Sequence, residues 1–149
     1  MNNKAIRYGV FAGMLTVLYF ELFFFYDKRV MLSPGVQWGS FVIFLVFMYK
    51  AGRDLVIATP GELRTKDVLK PIFTVFVIAN TIYYVYYYLL MNYFSPDLVA
   101  IQEEVIKSYG GDLSTAKPDI SMKSMLIGYS SGTIGGFIIS LIMSIIAKK

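Results

Sequence analysis

Apolar residues in this chain gather into four long runs, at 8–26, 36–49, 72–94 and 125–147, with short polar stretches between them. A helix rises about 1.5 Å per residue, so crossing a hydrocarbon core of about 30 Å takes about 20 residues. Three runs reach that length unaided, and the second reaches it with its flanks. Lipid offers no partners for backbone N–H and C=O groups, so segments that cross it this way are helical. The pattern predicts an all-α fold: an integral membrane four-transmembrane-helix bundle, with an amphipathic helix in the outer loop between spans three and four. One membrane domain covers 1–149, with spans at about 7–26, 36–55, 70–94 and 123–147 and the outer segment at about 96–110. The first run follows Lys4 and Arg7 as a signal peptide would. It continues through Phe23, Phe24, Phe25 and Tyr26 with no small-x-small cleavage site after it, and so reads as a retained span.

Polar punctuation supports these boundaries. Ser33-Pro34-Gly35 predicts a turn between the first two spans, with Trp38 near the outer interface, and Thr59-Pro60-Gly61 predicts a turn between the second and third. Leu55 to Ala58 extend span two or lie against the membrane surface. Pro71 is placed in the first turn of span three, where a missing N–H costs little. In the outer segment, Ser95 is placed as a helix cap, with Pro96 first in the helix and Asp97 at the positive end of its dipole. Leu98, Ile101, Val105 and Tyr109 then recur at helical spacing, and Gly110-Gly111 is a plausible stop. Such a face lies on the outer leaflet, folds onto the bundle, or forms a docking surface for a partner.

Basic residues set the orientation. Lys4, Arg7, Lys50, Arg53, Arg64, Lys66, Lys70, Lys148 and Lys149 fall on one side. Only Lys28, Arg29, Lys107, Lys117 and Lys123 fall on the other. The positive-inside bias places both termini in the cytoplasm, as an even number of spans requires. The net charge of +4 is thereby explained by juxtamembrane anchoring, which leaves no reason to expect nucleic acid. Cys and His are both absent from the sequence. That removes disulfides, thiol chemistry, haem ligation, most zinc and copper sites and His-based acid–base work. Glu103, Glu104, Asp112 and Asp119 are too dispersed for a calcium loop. There is no phosphate loop and no nucleophile elbow, and Ser130-Ser131 have no evident base, so no catalytic residue is assigned. The expectation is a non-enzyme with no cofactor and no metal.

Two patterns inside the spans single out residues. Ser124, Gly128, Gly132, Gly136, Ser140 and Ser144 follow at intervals of four and form one stripe of small residues on span four, widened by Ser131 and Gly135. Such a stripe lets another helix backbone approach closely. The helix that fills it is span one or two of this chain, a second copy, or a helix of another membrane protein subunit. In span one, Glu21 sits among apolar neighbours, where a carboxylate is costly. Depth counting puts Tyr83, Tyr84 and Thr133 level with it as possible hydrogen-bond donors, with Asn80 nearby. Glu21 is either a structural carboxyl, held by such a donor or reaching towards Lys28 or Arg29, or a proton- or cation-coupled site. The remaining tyrosines of span three, Tyr86, Tyr87, Tyr88 and Tyr93, ring the helix near its outer end as an aromatic belt. A cage for a cationic ligand is the sharper alternative.

Several features occur together: a basic N-terminus, Tyr8-Gly9 with Gly13 in span one, and a Tyr49-Lys50-Ala51-Gly52-Arg53-Asp54 exit from span two. A Tyr-rich third span, the step from Tyr93-Phe94 to Asp97, and a Gly-rich last span complete the set. In this layout the chain resembles the small four-helix bacterial inner-membrane proteins grouped as domain of unknown function 4199. The resemblance implies a bacterial inner-membrane location and no known activity. Three roles follow as expectations. The first is an accessory or scaffolding subunit of a larger membrane complex, partnered by lipid and by other subunits or a second copy. The second is a small proton-coupled transporter acting as a dimer through Glu21. The third is an envelope sensor working through the outer helix.

Overall fold

The structure is a computed structural model, and it describes residues 3–149. Four long helices pack side by side: α1 (Asn3–Tyr26), α3 (Pro34–Ala58), α4 (Thr65–Leu89) and α7 (Met122–Ala147). Short helices fill the connections: α2 (Lys28–Met31), α5 (Leu98–Ser108) and α6 (Leu113–Ala116). A π-helical turn, Leu90–Phe94, continues α4 without a break. Asn3–Tyr26, Thr65–Phe94 and Met122–Ala147 are long and apolar enough to cross a membrane. The chain therefore has the make-up of a membrane protein. Helix α3 is as long, at 25 residues, but carries Lys50, Arg53 and Asp54 towards its end.

Helix α4 lies at the centre and touches α1, α3 and α7. Its Val68, Ile72, Val75 and Ala79 have no solvent exposure. The neighbours approach it through small residues. On α1 the inward row is Ala5, Gly9, Ala12, Gly13, Thr16 and Phe20. A Cβ added to Gly13 would lie 2.6 Å from Ile82 Cδ1. On α7 the inward row includes Gly136, Ser140 and Ser144, and a Cβ on Gly136 would lie 1.9 Å from the Phe76 ring. Large apolar side chains point the other way, with Leu22, Phe25, Ile127, Ile134 and Ile138 all exposed. Water would penalise such a distribution; hydrocarbon would not, and there helix contact depends on dispersion at close range.

A second apolar cluster closes one end of the bundle. Phe20, Met31, Leu32, Val36, Leu90, Met91 and Leu98 are buried together, with Ile101 and Val105 packed against them. Helix α5 thus packs on this cluster through Leu98, Ile101 and Val105 and against α2.

Several boundaries differ from the sequence reading. Helix α3 starts at Pro34 and runs unbroken through Leu55 to Ala58. Ser33-Pro34-Gly35 is therefore its entry, with Pro34 in the first turn. Helix α4 starts six residues before Pro71, at Thr65, because Asp67 accepts hydrogen bonds from the backbone and side chain of Arg64 at 3.3 Å. Pro71 consequently sits inside the helix and buried, not in its first turn. Helix α5 starts at Leu98, and Ser95 does not cap it. The Ser95 hydroxyl instead accepts from Lys28 Nζ at 2.9 Å and donates to Asp97 Oδ1 at 2.5 Å. Gly110, with φ of +81°, ends α5 in the left-handed region that glycine tolerates.

The contact at Gly136 makes a sharp comparison possible. Gly136→Ala is expected to cost about 1–3 kcal/mol, because the methyl drives Phe76 off its packing. Gly135→Ala, whose Cβ would meet nothing within 4 Å, is expected to change stability by less than about 0.5 kcal/mol. Unfolding in mixed micelles with increasing SDS measures both, and equal effects would rule out this contact as the cause.

Candidate functional site

The stripe on α7 is occupied by its own chain. Gly128 faces the Tyr84 ring, Gly132 faces Tyr84 and Asn80, and Gly136 meets Phe76, all on α4. The helix against the glycines of the stripe is therefore span three, while span two also packs on α7, with Gly52 close to Ala147. Ser140 and Ser144 are buried further along, with hydroxyls donating to the carbonyls of Gly136 and Leu141 at 2.7 Å. Ser124 lies in the first turn, where its N–H donates to Ser121 Oγ at 3.2 Å.

Glu21 is half-buried and accepts a hydrogen bond from Tyr86 at 2.7 Å. The donors expected from depth alone, Tyr83, Tyr84 and Thr133, are turned elsewhere. Tyr83 donates to Gln37 Oε1 at 3.1 Å, and Thr133 to the Tyr129 carbonyl at 2.8 Å. Tyr84 packs edge-on to Tyr83 and Tyr129. Asn80, Tyr83 and Tyr84 line one cleft together, while Glu21 is not among its lining residues. The four residues grouped from the sequence thus fall into two places.

The proposed docking face is also covered. Leu98 is fully buried, Ile101 and Val105 pack on the second cluster, and only Tyr109 stands largely exposed. Polar contacts hold α5 in place: Lys28 with Asp97 at 2.7 Å, Arg29 with Glu104, and Tyr87 with Gln102 at 3.3 Å. At the opposite end Tyr8 donates to Asp54 at 2.6 Å, and Arg53 donates to the Ala147 carbonyl at 3.3 Å. These side chains join α1, α3 and α7 where each enters or leaves the bundle. Sequence reading did not single out Gln37, and named Tyr8 and Asp54 only for family layout and Tyr86 only in the aromatic belt, since each pairing joins residues 46 or more positions apart.

The most distinctive space in the bundle is the cleft between α3 and α7, floored by α4. Its volume is about 340 Å³. Gln37, Phe41 and Phe44 form one wall, Gly132 and Ile139 the other, and Phe76, Asn80, Tyr83 and Tyr84 the floor. Trp38, 75% exposed, stands at its rim. Asn80 is 5% exposed, and its side-chain Nδ2 has no hydrogen-bond partner. A Cβ on Gly132 would lie 3.8 Å from that nitrogen, so the amide sits beside the bare backbone of α7. Leaving such a donor unmade costs about 1–3 kcal/mol. Among the described residues no group of three or more acidic side chains is placed to hold a metal ion.

The hydrogen bond from Lys28 holds the Asp97 carboxyl below its usual range, with the Ser95 hydroxyl adding to it. A depressed carboxyl contributes stability that is full above its unfolded value of about 3.9 and is lost as pH falls through the folded value. Docking of α5 is therefore expected to loosen only below about pH 4. Amide exchange across Leu98–Ser108 measures this, and Asp97→Asn should flatten the response. Loosening at pH 5–6 would exclude Asp97 as the cause.

No curated protein and no solved structure matches the chain. Residues 7–149 match the family described as Protein of unknown function (DUF4199), and the chain belongs to that family.

Proposed function

We propose that the chain is a four-span membrane protein with both termini on the cytoplasmic side. In this reading it has a non-catalytic, accessory role, exerted by holding a small lipid-soluble molecule in the cleft between α3 and α7. The observation that carries this is the cleft itself, uncharged and lined by Phe41, Tyr83, Tyr84 and Ile139, with the orphaned Asn80 amide buried in its floor. A small pocket with apolar walls and few convergent polar groups is the usual form of a ligand site. The orientation is supported by the basic residues of the α3–α4 connection and the two chain ends, and the membrane-spanning reading by the sheath of large apolar side chains around the bundle. The α7 stripe and the α5 face give little support to a partner-docking role, since α4 and the second cluster cover them. A proton-coupled transporter centred on Glu21 is the alternative. It has less support, because Glu21 is held by Tyr86 and is not among the residues that line the cleft.

Two measurements test this reading. In the cysteine-free chain, Asp112→Cys is expected to react with a membrane-impermeant maleimide in intact cells. Glu62→Cys is expected to react only after permeabilisation, and labelling of both from outside would overturn the orientation. Gently extracted protein, examined by native mass spectrometry, is expected to carry an adduct of lipid mass that Gly132→Leu removes. Protein that retains the adduct in Gly132→Leu, or never carries one, would overturn the cleft as a binding site.

A further inference from the structure

We propose that a pocket between the α3–α4 connection and the end of α7 binds the headgroup of an anionic phospholipid. The inference rests on the membrane-spanning reading above and is independent of what the α3–α7 cleft holds. Charge is the first argument. The end of the bundle that carries both chain ends has nine basic residues against three acidic ones, Asp54, Glu62 and Asp67. The opposite end has five basic residues against six acidic ones, Glu21 not included. Topology follows the placement of Lys and Arg, and Asp and Glu contribute little to it. Insertion therefore does not require acids to be scarce at the first end, and their scarcity leaves a surface matched to an anion.

Pairing sharpens the contrast. At the opposite end Lys28 and Arg29 are tied to Asp97 and Glu104. At the first end Asp54 accepts from Tyr8, and Asp67 accepts from Arg64 Nε at 3.3 Å, which leaves both terminal nitrogens of that guanidinium free. Among the described residues Lys66, Lys70, Lys148 and Lys149 take part in no ion pair. Arg64 and Lys148 line one pocket of about 580 Å³, together with Val56, Glu62 and Leu63. A ligand can reach both cations, since the Arg64 side chain is 71% exposed and Lys148 is exposed as well. Arg and Lys both donate strongly to phosphate oxygens. Depth favours a lipid over a soluble anion. The continuous helix Thr65–Phe94 has 30 residues and a length of about 45 Å. Hydrocarbon takes up about 30 Å of that, and the headgroup layers bring the total to about 40–45 Å. Thr65, which also lines the pocket, therefore stands in a headgroup layer, with Val56 and Leu63 offering apolar contact beside the cations.

Native mass spectrometry of the full chain, delipidated in neutral detergent, tests this with two lipids of identical tails. Phosphatidylglycerol and phosphatidylcholine both carry a phosphate, but only the first has a net negative charge. The wild-type chain is expected to bind its first phosphatidylglycerol about tenfold more tightly, as two cations near a headgroup allow. Lys148→Gln is expected to lower that preference about threefold. Arg64→Gln should act similarly but also removes the partner of Asp67, so the exposed and unpaired Lys148 carries the test. Lys70→Gln takes the same charge from the same end outside the pocket, and is expected to leave the preference within about twofold. Glu62→Gln removes the one carboxylate that lines the pocket and is expected to raise the preference.

Equal binding of the two lipids would overturn the proposal. So would a loss in Lys70→Gln as large as in Lys148→Gln, which would mean diffuse attraction without a pocket. Competition by glycerol 3-phosphate at the concentration of the lipid would assign the pocket to a soluble phosphate and overturn the lipid. A preference lost in Gly132→Leu would put the lipid in the α3–α7 cleft and likewise overturn it. The maleimide labelling of Glu62→Cys separates the two levels: expected labelling with no lipid preference overturns the pocket and leaves the orientation standing.

Discussion

Close approach of three helices to α4 is the constraint on which the rest of the bundle depends. Where the surroundings are hydrocarbon, burying a leucine gains nothing over leaving it outside, and helices cohere through dispersion and a few hydrogen bonds. Dispersion falls off within an ångström, so the backbones must come near. Ile72, Phe76, Ile78 and Ile82 of α4 make this possible by entering positions where α3, α7 and α1 carry Gly52, Gly136, Gly9 and Gly13. Each of these contacts leaves less room than a methyl group needs. The large apolar side chains displaced from the interior make up the outer sheath.

Packing by small residues also explains where the bundle is left open. Along α7, the contact at Gly136 is tight, but at Gly132 the nearest atoms of Tyr84 and Asn80 stand 3.7–3.8 Å from where a Cβ would be. The stripe thus closes the bundle at one level and leaves a recess at the next. With aromatic rings on α3 and α4 around it, the recess becomes a cleft whose only orphaned donor is Asn80 among the described residues. At the α5 end the opposite solution holds. Leu98, Ile101 and Val105 cover the apolar cluster, and Lys28 and Arg29 fix the cover through Asp97 and Glu104.

Run length, small-residue spacing and charge placement were legible in the sequence because each follows from a period along the chain. They determined an all-helical chain of apolar helices, a small-residue stripe on α7 and an amphipathic α5. Depth was legible too, since counting residues at a fixed rise placed Glu21 level with the tyrosines of α4. What counting along an axis could not give was the direction each side chain faces. Tyr83, Tyr84 and Tyr86 lie within one helical turn, yet only Tyr86 donates to Glu21 on α1, while the Tyr83 hydroxyl donates to Gln37 on α3. The same uncertainty hid which helix fills the α7 stripe and what lies beneath α5. Those outcomes depend on how the helices are rotated about their axes. Only contacts between residues far apart in sequence, formed in the packed bundle, decide that rotation.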